Sequence, residues 1–193
     1  QKRPQDVNLS VVDLYTIGIG PSSSHTVGPM RAGYRCCLEM EALNLLVKTA
    51  SIIVDLYGSL ALTGKGHATD TAVLMGLSGH RPRSINPDDI EPTIKAIDQT
   101  GKLQFFGPQP VDFNRDTNLV FHMTESLPQH PNGMRISAFV LDGVTIPCQE
   151  YFSAGVGIVV SGDDRGVESP GANVILPHPF SSANALMATC NQR

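Results

Sequence analysis

The chain has 193 residues, enough for one domain or two small ones with a real core. Its 41% hydrophobic and 17% charged residues exclude a disordered chain, and a net charge of −4 lacks the basic excess of a nucleic-acid binder. No apolar run approaches the roughly 18 residues of a membrane span, and the leading QKRPQDVNLS has no apolar h-region, so a cytoplasmic protein without a membrane or nucleic-acid partner is expected.

In chain order, residues 11–16 (VVDLYT) read as a short helix or turn, and IGIGPSSSHTVGP reads as a loop. Pro29 suits a first helical position, or the helix starts a turn earlier near Ser24. Met30, Tyr34, Cys37, Leu38, Ala42 and Leu45 recur at helical spacing to about residue 46. SIIVDLY (51–57) is β-branched and apolar, a buried strand. GSLALTGKG reads as a second glycine-bearing loop, and His67 to Ser78 as an apolar helix closed by Gly79. A third helix is expected over 88–99.

After residue 100 the pattern changes. KLQFF, NLVFHM, MRISAFVL, VTIPCQEYF and VGIVV read as short strands, with turns at Pro131-Asn132-Gly133 and Asp142-Gly143. A last helix is expected from near Phe180. Helices with one strand, followed by a run of strands, give an α+β class with a mixed sheet.

The four cysteines, Cys36, Cys37, Cys148 and Cys190, lack any zinc or cluster spacing. Neighbours on one helix point about 100° apart and chelate poorly. They read as buried or half-buried free thiols in a reducing compartment, so no metal site is expected in this chain.

Three segments can carry chemistry. In Gly18–Pro29, Ser22, Ser23, Ser24, His25 and Thr26 stand just before a helix, where hydroxyls, backbone N–H groups and the helix dipole favour a small anion. The same residues also suit an ordinary capped polar loop. In Gly58–Asp70, Lys65 can pair with a carboxylate. His67 is expected at a helix start, which favours a neutral, proton-accepting imidazole, and Asp70 one turn on can orient it. The bland alternative is a helix end with solvated Lys and His. In Pro128–Met134, His130 and Asn132 can touch a substrate, although a structural turn explains them as well.

Other enzyme classes fail on their motifs. The second segment is no Walker A loop, since five residues separate Gly58 from Gly64 and Gly66 stands where Ser or Thr is needed. Gly76-Leu77-Ser78-Gly79-His80 lacks the second glycine of a nucleophile elbow. No Gly-x-Gly-x-x-Gly follows a strand.

Taken together, GIGPSSSHTVGPMRAG, VDLYGSLALTGKGHATDTAVLMGLSG and LPQHPNGMRISAF closely resemble the N-terminal β domain of the iron–sulfur-dependent bacterial L-serine dehydratases. The resemblance runs from about Leu9 to Cys190. It implies conversion of L-serine to pyruvate and ammonia without pyridoxal phosphate, and a fold like the allosteric substrate-binding domain of phosphoglycerate dehydrogenase. It also implies a [4Fe–4S] cluster bound by a missing C-terminal catalytic α domain or subunit. Residues 1–193 would then form one β domain whose last residues begin a linker to that domain. The full protein is expected as a homodimer. The active site would lie between the domains, with His67 as the base. Ser22, Ser23, Ser24, His25, Thr26, Lys65, Gly66, His130 and Asn132 would lie around the substrate, and the isolated chain is expected to be inactive. The competing reading is a non-catalytic module that senses serine or another small carboxylate.

Overall fold

The computed structural model describes residues 18–106, 110–140, 145–155, 159–161 and 182–191. The chain divides into two units, Val11–Val167 and a smaller one comprising Gln1–Ser10 and Glu168–Arg193. The described element of the smaller unit is helix α6 (Ala183–Asn191).

In the larger unit a π-helical turn, Ser23–Val27, runs without a break into α1 (Gly28–Ala42). Strand β1 (Thr49–Tyr57) follows, then α2 (Gly58–Thr63), α3 (Thr69–Leu77) and α4 (Ile90–Thr100). The rest is β2 (Lys102–Gln104), β3 (Pro110–Asp112), the short α5 (Arg115–Asn118), β4 (Leu119–His122), β5 (Gly133–Val140), β6 (Thr145–Ser153) and β7 (Val159–Ser161).

The seven strands among the described residues form one mixed sheet in the order β2-β3-β1-β5-β6-β7, with β4 also paired to β1. One edge of β1 carries β3 and β4 in succession, both parallel to it, through Ser51↔Asp112 and then Val54↔Leu119 to Tyr57↔His122. The other edge carries β5, antiparallel. This is the expected α+β class with a mixed sheet.

Side chains alternate across a strand, and β1 shows the consequence. Ile52, Val54 and Leu56 are fully buried, while Ser51, Ile53 and Asp55 between them are half-buried. The buried set packs with Cys36, Cys37 and Met40 of α1, Val73, Leu74 and Leu77 of α3, and Met134, Ile136 and Ala138 of β5. Helices α1 and α3 meet backbone to backbone. A Cβ on Gly76 would lie 2.1 Å from the Met30 carbonyl oxygen, and one on Gly33 would lie 2.7 Å from that of Val73.

The structure corrects several local expectations. The GSLALT stretch is helix α2 and not a loop: Leu60 and Ala61 turn into the core while glycines flank it at both ends. Helix α3 starts at Thr69, not His67, because Ala68 adopts a left-handed conformation (φ 58°) that breaks the helical run between them. Strand β3 and helix α5 were not anticipated. Residues 11–16, the Asp142-Gly143 turn and Phe180 lie outside the described residues. Cys36 and Cys37 are buried, but Cys190 is exposed, against the expectation of a half-buried thiol.

Candidate active site

The first segment is built around Ser22. Its backbone is extended (φ −134°), and its carbonyl accepts the His25 and Thr26 N–H groups at 3.2 and 2.9 Å. Thr26 is fully buried and donates its hydroxyl to the same carbonyl at 2.7 Å, so its side chain holds the turn rather than facing outward. Ser23 opens the turn, and its carbonyl takes the Gly28 N–H. That arrangement leaves the hydroxyls of Ser22 and Ser24 3.1 Å apart and both beside His25 Nδ1, at 3.3 and 2.9 Å.

His25 Nε2 reaches across to Ser59 Oγ at 3.0 Å. Both ring nitrogens of His25 therefore sit against hydroxyl groups. His67 packs edge-on to this ring, centroid to centroid 5.1 Å, with the planes at 61°. The His67 ring is half-buried, and its Nδ1 is covered without a hydrogen-bond partner. The opposite nitrogen, Nε2, is then the one left to meet a substrate. Burial, and secondarily the neighbouring His67, lowers the His25 pKa below its ordinary 6.5, while the contact with Ser59 works in the other direction. His25 thus favours its neutral imidazole form.

The third segment joins through backbone bonds. Ser59 N–H donates to the Pro131 carbonyl at 2.9 Å, and Gly58 N–H to that of Glu125 at 2.8 Å. Gly58 has φ +53°, and a Cβ there would lie 2.3 Å from the Pro131 oxygen, so only glycine fits. Inside the turn, Asn132 N–H donates to His130 Nδ1 at 3.0 Å. Asn132 also binds Ser153 twice: its Nδ2 donates to the Ser153 carbonyl at 3.2 Å, and its own carbonyl accepts the Ser153 N–H at 3.0 Å. Ser153 is fully buried against Gly28, where an added Cβ would fall 2.0 Å from its Oγ. All three predicted segments therefore converge at the start of α1 and the end of β1.

Other expected residues lie outside this cluster. Lys65 is exposed, with its ammonium 5.5 Å from the centroid of the Phe121 ring, and lines a separate cavity of about 640 Å³ with Asp70, Asp98 and Arg115. Asp70 does not orient His67. It pairs with Arg115 at 3.0 Å and accepts the Thr71 N–H at 2.8 Å. Gly66 is exposed, and a Cβ added there would meet the Thr63 oxygen at an ordinary contact distance of 3.6 Å. Conversely, Ser59 and Ser153 were missed. Ser59 was visible only as the residue after a glycine at a strand end, and Ser153 carried no signal at all.

Among the described residues, no group of three or more His, Cys, Asp or Glu side chains is placed to hold a metal ion. Cys36 and Cys37 lie in the core, where burial pushes the Cys36 thiol up to about 12 and the Cys37 thiol up as well. Such thiols resist the deprotonation that ligation requires. No described helix is long and apolar enough to cross a membrane.

The arrangement offers an imidazole with a free face, a second imidazole clamped beside it, and a small cluster of hydroxyl donors. It suits proton abstraction next to a bound anionic group.

Comparison with known proteins supports a specific family. Residues 10–164 match the family model described as serine dehydratase beta chain. The chain is 44% identical over 184 residues to L-serine dehydratase TdcG of Escherichia coli (strain K12), covering 95% of this chain and 40% of that protein. It is 39% identical over 180 residues to an L-serine dehydratase of Streptomyces coelicolor, covering 93% of this chain and 40% of that one. A Helicobacter pylori L-serine dehydratase is 31% identical over 186 residues, with 96% and 40% covered. The chain spans about 40% of the length of these relatives. With a match across most of its length, this chain belongs to the serine dehydratase beta-chain family.

Proposed function

We propose that this chain forms the β part of an enzyme that deaminates L-serine to pyruvate and ammonia. The observation that carries the reading is the convergence of the three family-like segments on the His25–His67 pair. In this reading His67 Nε2 removes the Cα proton of serine. The hydroxyls of Ser22 and Ser24, clustered with His25, receive the substrate carboxylate. His130 and Asn132, on the turn bonded to Ser59 and Ser153, also contact the substrate in this reading. Loss of the β-hydroxyl then gives an aminoacrylate, which tautomerises and hydrolyses.

Hydroxide is a poor leaving group and needs help to depart. In the dehydratases that the sequence resembles, a [4Fe–4S] cluster gives that help. Cys36 and Cys37, buried and hard to ionise, are unfit to hold one. In this reading this chain serves Cα deprotonation and the substrate carboxylate, and a second domain or subunit serves the leaving hydroxide.

The test is an anaerobic assay of the complete protein with L-serine. Release of pyruvate and ammonia in equal amounts is expected. Tight binding of serine with no ammonia released would overturn the reading in favour of a sensing module.

A further inference from the structure

We infer that Ser59 is a positioning residue of this site: its hydroxyl clamps His25 against the serine cluster and so fixes the wall on which the His67 ring rests. The inference rests on the deaminase reading above and extends it to a residue with no direct part in the chemistry.

The need for a clamp follows from the side chain itself. The terminal torsion of histidine is an sp³–sp² rotor with broad wells, so the ring plane is weakly set by local sterics. Two opposed hydrogen bonds set it instead. Ser24 Oγ lies 2.9 Å from Nδ1 and Ser59 Oγ 3.0 Å from Nε2, at opposite ends of the ring. Ser24 stands beside His25 in sequence and moves with it. Ser59 comes from 34 residues away and is the anchor that does not share the motion.

The Ser59 backbone is held unusually well for a residue at a helix start. Its N–H donates to the Pro131 carbonyl, its own carbonyl accepts the Thr63 hydroxyl at 2.9 Å, and the preceding Gly58 N–H is bonded to Glu125. Gly58 is pressed against Pro131 in a conformation that favours glycine. Its hydroxyl is therefore delivered from a fixed point. Ser59 also belongs to the second segment, bonds the first through its side chain and bonds the third through its backbone.

His67 gains its orientation from this wall. Its Nδ1 has no partner among the described residues, so hydrogen bonding does not fix its ring. Edge-on packing on His25 is the contact that does. If His25 swings, His67 loses the surface that aims Nε2, and misplacement on the order of 1 Å costs about 100-fold in rate.

Ser59→Ala removes the clamp, and Ser59→Thr keeps a hydroxyl at the same place. In the complete, cluster-loaded protein, Ser59→Ala is expected to lower kcat about tenfold or more with KM changed less than about threefold. Ser59→Thr is expected to restore most of kcat. In the 193-residue chain, ¹⁵N-edited NMR of the imidazoles reports the clamp without any turnover. Ser59→Ala should shift and broaden the His25 and His67 ring signals while the amide spectrum stays folded, and Ser59→Thr should return them. A parent protein with no serine deamination overturns the functional reading. With an active parent, Ser59→Ala at parental kcat, or unmoved His25 and His67 signals, overturns the role of Ser59. A Ser59→Thr variant as slow as Ser59→Ala, though folded, does the same.

Discussion

The rings of His25 and His67 stand 5.1 Å apart and edge-on, although 42 positions separate them and one lies in the turn before α1, the other in the turn between α2 and α3. Two imidazolium charges at that distance would repel, and the nearby His67 adds to burial in lowering the His25 pKa. One ring is bonded at both nitrogens, and the other is not. That asymmetry separates a structural histidine from a reactive one. It favours His67 over His25 as the proton acceptor.

His67→Ala in the complete protein should therefore lower kcat by about 10²–10⁴-fold, the usual contribution of a general base. Any iron–sulfur absorbance that the complete protein carries should not change. Serine deuterated at Cα checks the step directly. A primary isotope effect on kcat/KM in the parent, with a kcat loss in His67→Ala under tenfold, would move the base to another residue.

Acid should weaken the fold through His25. Its folded pKa lies below the ordinary 6.5, chiefly because burial disfavours the cation. As pH falls below about 6.5, the unfolded chain binds the proton first, so protonation favours unfolding. Stability is complete above that pH and declines as pH drops through the lower folded value. His25→Gln keeps a polar side chain and has no such proton. Urea midpoints measured from pH 7.5 to 5 should fall more steeply for the parent than for this variant. Parallel slopes would mean that His25 is not the group responsible.

The sequence disclosed the sheet and the site to different depths. Ile52, Val54 and Leu56 announced β1 because β-branched and apolar residues of a buried strand leave a local signature. Helix α2 was hidden because Gly58 and Gly64 bracket it and read as loop punctuation. In the fold, Gly58 is there to clear Pro131, a contact over 70 residues away in sequence. The segments bearing His25, His67 and His130 were legible as motifs, and their meeting point was not. That meeting depends on Ser59, whose bonds to His25 and Pro131 are tertiary. Asp70 shows the converse: close to His67 in sequence, it pairs instead with Arg115, at a cavity that Lys65 also lines.

Close packing of α1 on α3 makes Gly76 intolerant. A methyl group there would meet the Met30 oxygen at 2.1 Å, and that atom is backbone that cannot swing aside. Gly76→Ala is expected to cost at least about 2 kcal/mol, as overpacked cores do, despite the better helix propensity of alanine. Gly66→Ala, whose Cβ would meet the Thr63 oxygen only at an ordinary 3.6 Å, should change stability by no more than about 0.5 kcal/mol. Thermal or urea unfolding of both variants compares them. Equal stabilities would show that the two helices do not approach through Gly76.

The thiols give a test of the core itself. Cys36 is fully enclosed between α1 and the sheet, beside Tyr151, and burial raises its pKa to about 12. Cys37 donates its Sγ–H to the Leu77 carbonyl at 3.3 Å, and both burial and the charge of Cys36 push its pKa up. Only a thiolate attacks a maleimide or iodoacetamide at a useful rate, and the reagent must also reach it. Cys190 on α6 is exposed and satisfies the second condition. Peptide mapping after brief alkylation at pH 8 should therefore find label on Cys190 and none on Cys36 or Cys37. Those two should react only when the chain opens, at a rate that rises with added urea in step with unfolding. Native-state labelling of Cys36 or Cys37 as fast as that of Cys190 would show that α1 does not cover the sheet. The His25 turn, which leads straight into α1, would then lose its support.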